Sequence, residues 1–87
     1  MYSIVYAKSA QKDIPKLKAA KLDDITKRLI DVIRQNPFQI PPRFEKLCGD
    51  LSGYYSRRIN AKHRLVYAVR EDEKTVVIIS MWSHYEF

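Results

Sequence analysis

Two alternating runs separated by a three-residue break constrain this chain most. Tyr54-Tyr55-Ser56-Arg57-Arg58-Ile59 and His63-Arg64-Leu65-Val66-Tyr67-Ala68-Val69-Arg70 are rich in aromatic and β-branched residues, and Asn60-Ala61-Lys62 between them supplies a turn. They predict a β-hairpin. Thr75 to Trp82 adds a further strand after the charged turn Glu71-Asp72-Glu73-Lys74, and Tyr2 to Ala7 reads as a first strand.

The segment between first strand and hairpin is helical in its first half. Ser9 is a suitable N-cap for a helix with Ala10, Ile14 and Leu17 on one side, and Pro15, beyond its first turn, shortens or kinks it. Asp23 and Asp24 suit the positive end of a second helix, in which Ile25, Leu29, Val32 and Ile33 keep helical spacing until Asn36-Pro37 stops it. From Pro37 to Gly53 prolines and glycines predict an irregular connection with one turn around Phe44 to Leu47. The predicted order is βααβββ, an α+β fold with two helices on one face of an antiparallel sheet. At 87 residues the chain has room for one domain, 1–87, with a core small enough that dimerisation or partner binding is expected to add stability.

Strand alternation assigns faces. His63, Leu65, Tyr67 and Val69 share one side of their strand and Arg64, Val66, Ala68 and Arg70 the other. Tyr54, Ser56 and Arg58 lie together in the preceding strand, and Ser80, Trp82 and His84 in the last. Arg58, Arg64 and His84 are therefore expected on one open face, away from the helices.

Sixteen Lys and Arg against ten Asp and Glu give +6, which favours a polyanionic partner. The charge is concentrated. From Arg43 to Arg64 stand Arg43, Lys46, Arg57, Arg58, Lys62 and Arg64 against only Glu45 and Asp50. One cysteine, Cys48, cannot form an intramolecular disulfide, and no Cys/His spacing suits a structural zinc, so a reducing compartment and no cofactor are expected. The N-terminus enters a strand pattern directly and no apolar run approaches membrane-spanning length, which points to a cytoplasmic protein with no membrane association.

Glu45, His84, Tyr85 and the arginines supply a base, acids and anion binders, the equipment of a metal-independent ribonuclease. RNA brings its own nucleophile, so cleavage needs removal of the 2′-OH proton, relief of charge at phosphorus and protonation of the 5′ oxygen. Each residue alone has a plainer reading. A lone glutamate in a loop is ordinarily a solvated charge, a histidine near a terminus is ordinarily idle, and His63, on the predicted core face, reads as structural. Arg57, opposite in parity to Arg58, reads as a solvated or partner-facing charge. Tyr54 is either a strand former or an aromatic that stacks a splayed base.

Glu45, Asp50 to Ile59, His63-Arg64-Leu65-Val66-Tyr67 and the terminal His84-Tyr85 together resemble the Txe/YoeB toxins of bacterial toxin-antitoxin modules, in the RelE/ParE superfamily. The resemblance is specific from Pro37 to Tyr85. It implies a RelE-like domain that enters the ribosomal A site and cleaves mRNA, leaving 2′,3′-cyclic phosphate and 5′-OH ends. The implied partners are a YefM/Phd-type antitoxin, the ribosome and mRNA, with operator DNA bound only through the antitoxin complex and a homodimer allowed. By the family motif Glu45 is the general base, Arg58 and Arg64 bind phosphate, His84 is the general acid and Tyr85 positions the substrate or donates a proton. Arg43, Lys46, Tyr54, Arg57 and Lys62 are expected to contact mRNA or ribosomal RNA. Cys48 stands where the family often has a lysine, and Glu86-Phe87 extend past the His-Tyr pair. The alternative class is a noncatalytic ParE-like topoisomerase inhibitor or basic nucleic-acid-binding module, since one fold serves several roles.

Overall fold

In the computed structural model, which describes residues 1–83, a five-stranded sheet carries its helices on one face. β1 (Ser3–Tyr6) leads into α1 (Lys8–Gln11), α2 (Ile14–Ala19) and α3 (Asp23–Gln35), followed by β2 (Phe44–Lys46), β3 (Tyr54–Arg58), β4 (Arg64–Arg70) and β5 (Thr75–Ser83). The strand order is β1-β5-β4-β3-β2. The α+β class expected from the sequence stands, with two refinements. β1 has no hairpin partner, and the helices return the chain so that it lies parallel to β5 at the sheet edge, which makes the sheet mixed. Phe44–Lys46, expected as a turn, pairs with β3 as a short fifth strand, too brief after Pro41-Pro42 to show alternation.

The first helix is broken as Pro15 requires. Pro15 has no N–H to donate to Gln11, so α1 ends there, and Pro15 sits in the first turn of α2, where its missing donor is tolerated. α3 buries Thr26, Leu29, Ile30 and Ile33. Its apolar stripe is thus rotated from the expected one, with Ile25 left at the exposed border, because Thr26 returns its hydroxyl hydrogen to the Leu22 carbonyl and so carries no unpaired polar group inward. Asn36 turns extended before Pro37 and ends the helix.

The core lies between helices and sheet: Leu17, Leu29, Ile30 and Ile33 meet Ile59, Leu65, Tyr67, Val76, Ile78 and Met81. The hairpin turn is built as the sequence predicts, with the Asn60 side-chain oxygen accepting the Lys62 and His63 amides at 2.9 and 2.8 Å. β4 and β5 are out of simple register near the site. Tyr67 opposes Ile78, Val66 opposes Ser80 and Arg64 opposes Ser83, so β5 carries extra residues in two bulges. Met81 and Trp82 consequently both serve the core side, and the Trp82 ring stacks on His63 at 3.8 Å. The expectation that Trp82 shares the open face with Ser80 is corrected by these bulges.

Candidate active site

Away from the helices, β2, β3 and β4 floor a cleft of about 340 Å³ lined by Pro42, Arg43, Glu45, Ser56, Arg58 and Arg64. Strand register explains the grouping. Glu45 opposes Ser56, Ser56 opposes Val66, and one step along the sheet Arg58 opposes Arg64. The Arg64 Nη1 lies 3.8 Å from Glu45 Oε1 and donates to Ser56 Oγ at 3.4 Å. Arg64 is held deep, its side chain 12% exposed, while Glu45 is 32% exposed on the outer strand. A half-open carboxylate beside a largely covered guanidinium, with Arg58 and Arg43 around the same hollow, can accept a proton from one atom of a ligand while cations grip an adjoining phosphate.

The expected site residues divide as follows. Glu45, Arg43, Arg58 and Arg64 meet in the cleft. Tyr54 lies on the same sheet face opposite Ala68, half-buried and outside the cleft lining. Lys62 is exposed in the hairpin turn beside Arg64. Lys46 is exposed but opposes Tyr55, so alternation turns it from the cleft face. His63 is buried against Trp82, in keeping with its structural reading. His84 and Tyr85 lie outside the described residues. Ser56 was not singled out for a role in the sequence; its parity with Arg58 put it on this face, but nothing signalled its bond to Arg64.

Arg57 requires correction. It is 1% exposed, on the core side of β3, and not a solvated or partner-facing charge. Its Nε donates to the Tyr67 hydroxyl at 3.0 Å, Nη2 donates to the Pro37 and Gln39 carbonyls at 2.9 and 3.0 Å, and Nη1 donates to the Pro42 carbonyl. Its guanidinium also lies over the Phe44 ring, 5.1 Å from the centroid. Strand alternation could place it opposite Arg58, but only the loop from Pro37 to Pro42, invisible to periodicity, supplies the carbonyls that make burial of the charge tolerable. Tyr67 in turn donates to Pro37 at 2.7 Å, and burial pushes its phenol above the ordinary value against the lowering pull of Arg57.

Helices on one face of a five-stranded sheet and a basic cleft on the other make this a RelE-like α+β fold. The profile of the YoeB-like toxins of bacterial type II toxin-antitoxin systems matches residues 6–85, and the chain belongs to that family. Toxin YoeB of Mycobacterium bovis is 50% identical over 50 residues, 58% of this chain and 59% of that protein, so the match spans less than two thirds of that relative. Toxin YoeB of Streptomyces coelicolor is 48% identical over 58 residues, 67% of each chain. Among solved structures, a YoeB/ParE toxin from Agrobacterium tumefaciens has a TM-score of 0.86 at 32% identity, covering 95% of this chain and 99% of its own. The Staphylococcus aureus YoeB-YefM complex contains a chain with a TM-score of 0.80 at 33% identity, covering 98% of this chain and 99% of its own.

Proposed function

We propose that this protein is the toxin of a toxin-antitoxin pair and acts as a ribosome-associated mRNA endoribonuclease in the A site. The observation that carries the reading is the convergence of Glu45, Arg58 and Arg64 in one cleft, with the Glu45 carboxylate 3.8 Å from the Arg64 guanidinium. Glu45 removes the 2′-OH proton, and the freed oxygen attacks the adjacent phosphorus. Arg64 and Arg58 take up the charge that develops on the phosphoryl oxygens. His84 protonates the departing 5′ oxygen, aided by Tyr85, and the ends are a 2′,3′-cyclic phosphate and a 5′-OH. No metal is required in this scheme, because the base, the cations and the acid are all side chains. One well-placed base or acid contributes about 10²- to 10⁴-fold.

Arg43 and Lys62, exposed at and beside the cleft, dock ribosomal RNA and message. A YefM-type antitoxin, acidic against the +6 of this chain, silences the toxin by covering or distorting the cleft. That partner is supported by the solved YoeB-YefM complex, and a homodimer by a solved Staphylococcus aureus YoeB dimer 33% identical to this chain. Operator DNA is reached only through the antitoxin complex, and the site of action is the cytoplasm. A topoisomerase inhibitor acting by contact leaves the Glu45–Arg64 pairing without a task. Mapping the ends of mRNA on translating ribosomes with and without the purified protein tests the reading: A-site cleavage supports it, and intact message with active, folded protein refutes it.

A further inference from the structure

We infer that Arg57 is a positioning residue for the cleft, holding from behind the strand that presents Glu45; the inference rests on the proposed ribonuclease reading for its kinetic consequence. Arg57 and Arg58 are neighbours of identical chemistry, yet one lines the cleft and the other is buried on the opposite face of the same strand. The segment from Pro37 to Pro42 contains three prolines and no helix or strand, so its carbonyls have few backbone donors within reach. Arg57 takes up three of them, those of Pro37, Gln39 and Pro42. Its fourth bond, to the Tyr67 hydroxyl, ties that point to β4, and Tyr67 itself donates to Pro37.

The connection to the site is short. Pro42 lines the cleft and accepts from Arg57 at the same time, and Arg43 and the β2 residues follow it directly. Arg57 is also the register partner of Phe44, the residue before Glu45, and lies against the Phe44 ring. β2 is only three residues long and forms the sheet edge, so its own ladder fixes Glu45 weakly. A planar fork with several donors can hold loop and strand in one arrangement; an ammonium keeps the charge but cannot span Tyr67 and three carbonyls. Displacing reacting groups by an ångström costs roughly 100-fold in rate.

The test combines Arg57→Lys and Tyr67→Phe with Glu45→Ala in the full-length protein. In single-turnover cleavage on saturating programmed ribosomes, Arg57→Lys should lose roughly 100-fold in rate at unchanged ribosome affinity, and Tyr67→Phe less. In the Glu45→Ala background neither substitution should cost anything further, because the group they position is already gone. Equal losses with and without Glu45, once corrected for folded fraction, overturn the inference. Hydrogen exchange provides a readout independent of RNA: amides of Phe44–Leu47 should exchange several-fold faster in Arg57→Lys while those of β4 and β5 hold. Unchanged exchange there overturns positioning even in a protein that cleaves nothing, whereas faster exchange without any wild-type cleavage refutes the ribonuclease reading alone. Should Arg57→Lys fail to fold, Tyr67→Phe, which removes one hydroxyl, carries both measurements.

Discussion

Arg58 and Arg64 stand directly opposite one another across β3 and β4, two cations where a sheet gains most from opposite charges. Like charges directly opposite one another are destabilising, a penalty that the Glu45 carboxylate beside Arg64 and an anion bound between the two arginines relieve. Arg58→Ala should therefore keep the stability of the fold or raise it by up to about 1 kcal/mol in urea unfolding. Inorganic phosphate should raise the melting temperature of the unmodified protein more than that of the variant, since only ligands bound to the folded state stabilise it. Equal stabilisation of both proteins would show that the pair does not hold anions.

The bulged end of β5 depends on a side chain from the helical layer. Asp13 is buried, and its Oδ2 accepts the Met81 amide at 2.9 Å. Asp13→Ala strands that N–H and should cost about 1 to 3 kcal/mol. Asp13→Asn, whose amide oxygen can still accept, should cost less. Chemical denaturation of the two variants checks the order, which a purely electrostatic role toward Lys16, 3.6 Å away, would not produce.

Tyr67 makes the alkaline limb of stability predictable. Burial raises its phenol in the folded state. Below the unfolded value, about 10, both states hold the proton and the contribution is complete. As pH rises from there toward the folded value, the unfolded chain ionises first and stability is lost. Unfolding free energy should fall more steeply above pH ~10 in the unmodified protein than in Tyr67→Phe. Parallel curves would place the raised phenol elsewhere.

The sequence announces β3, β4, β5 and their turns through alternation, and α3 through its apolar spacing and the Asn36-Pro37 stop. Two features escaped it for physical reasons. Phe44–Lys46 becomes a strand because of what β3 offers it, a tertiary pairing that three residues between Pro41-Pro42 and Gly49 cannot signal. The bulges of β5 shift the parity of Trp82, and simple alternation carries no sign of an inserted residue. In the site, Glu45, Arg58 and Arg64 were legible from the motif and from parity, and the structure brings them together. Arg57 was not, because a buried charge is recognisable only once the carbonyls that surround it are known.

Docking and chemistry should separate by salt. Neutralising Arg43 or Lys62, both exposed, should weaken ribosome binding and lower the salt dependence of affinity, by about 0.7 to 0.9 in slope for each phosphate that no longer meets a cation. Lys62→Ala should leave single-turnover cleavage at saturation nearly intact. A collapse of that rate with binding retained would move Lys62 into the reacting centre.

Single-turnover cleavage of mRNA on programmed ribosomes, with the end chemistry analysed, tests most directly whether Glu45 takes the 2′-OH proton in a cleft where Arg64 supports the phosphate. Cleavage with a 2′,3′-cyclic phosphate is expected for the unmodified protein, with Glu45→Ala slower by about 10²- to 10⁴-fold at unchanged ribosome affinity. Arg64→Lys should stay well below the unmodified rate, since an ammonium loses the two-pronged grip. Cleavage by Glu45→Ala at the unmodified rate, with the same ends, would contradict that role for Glu45.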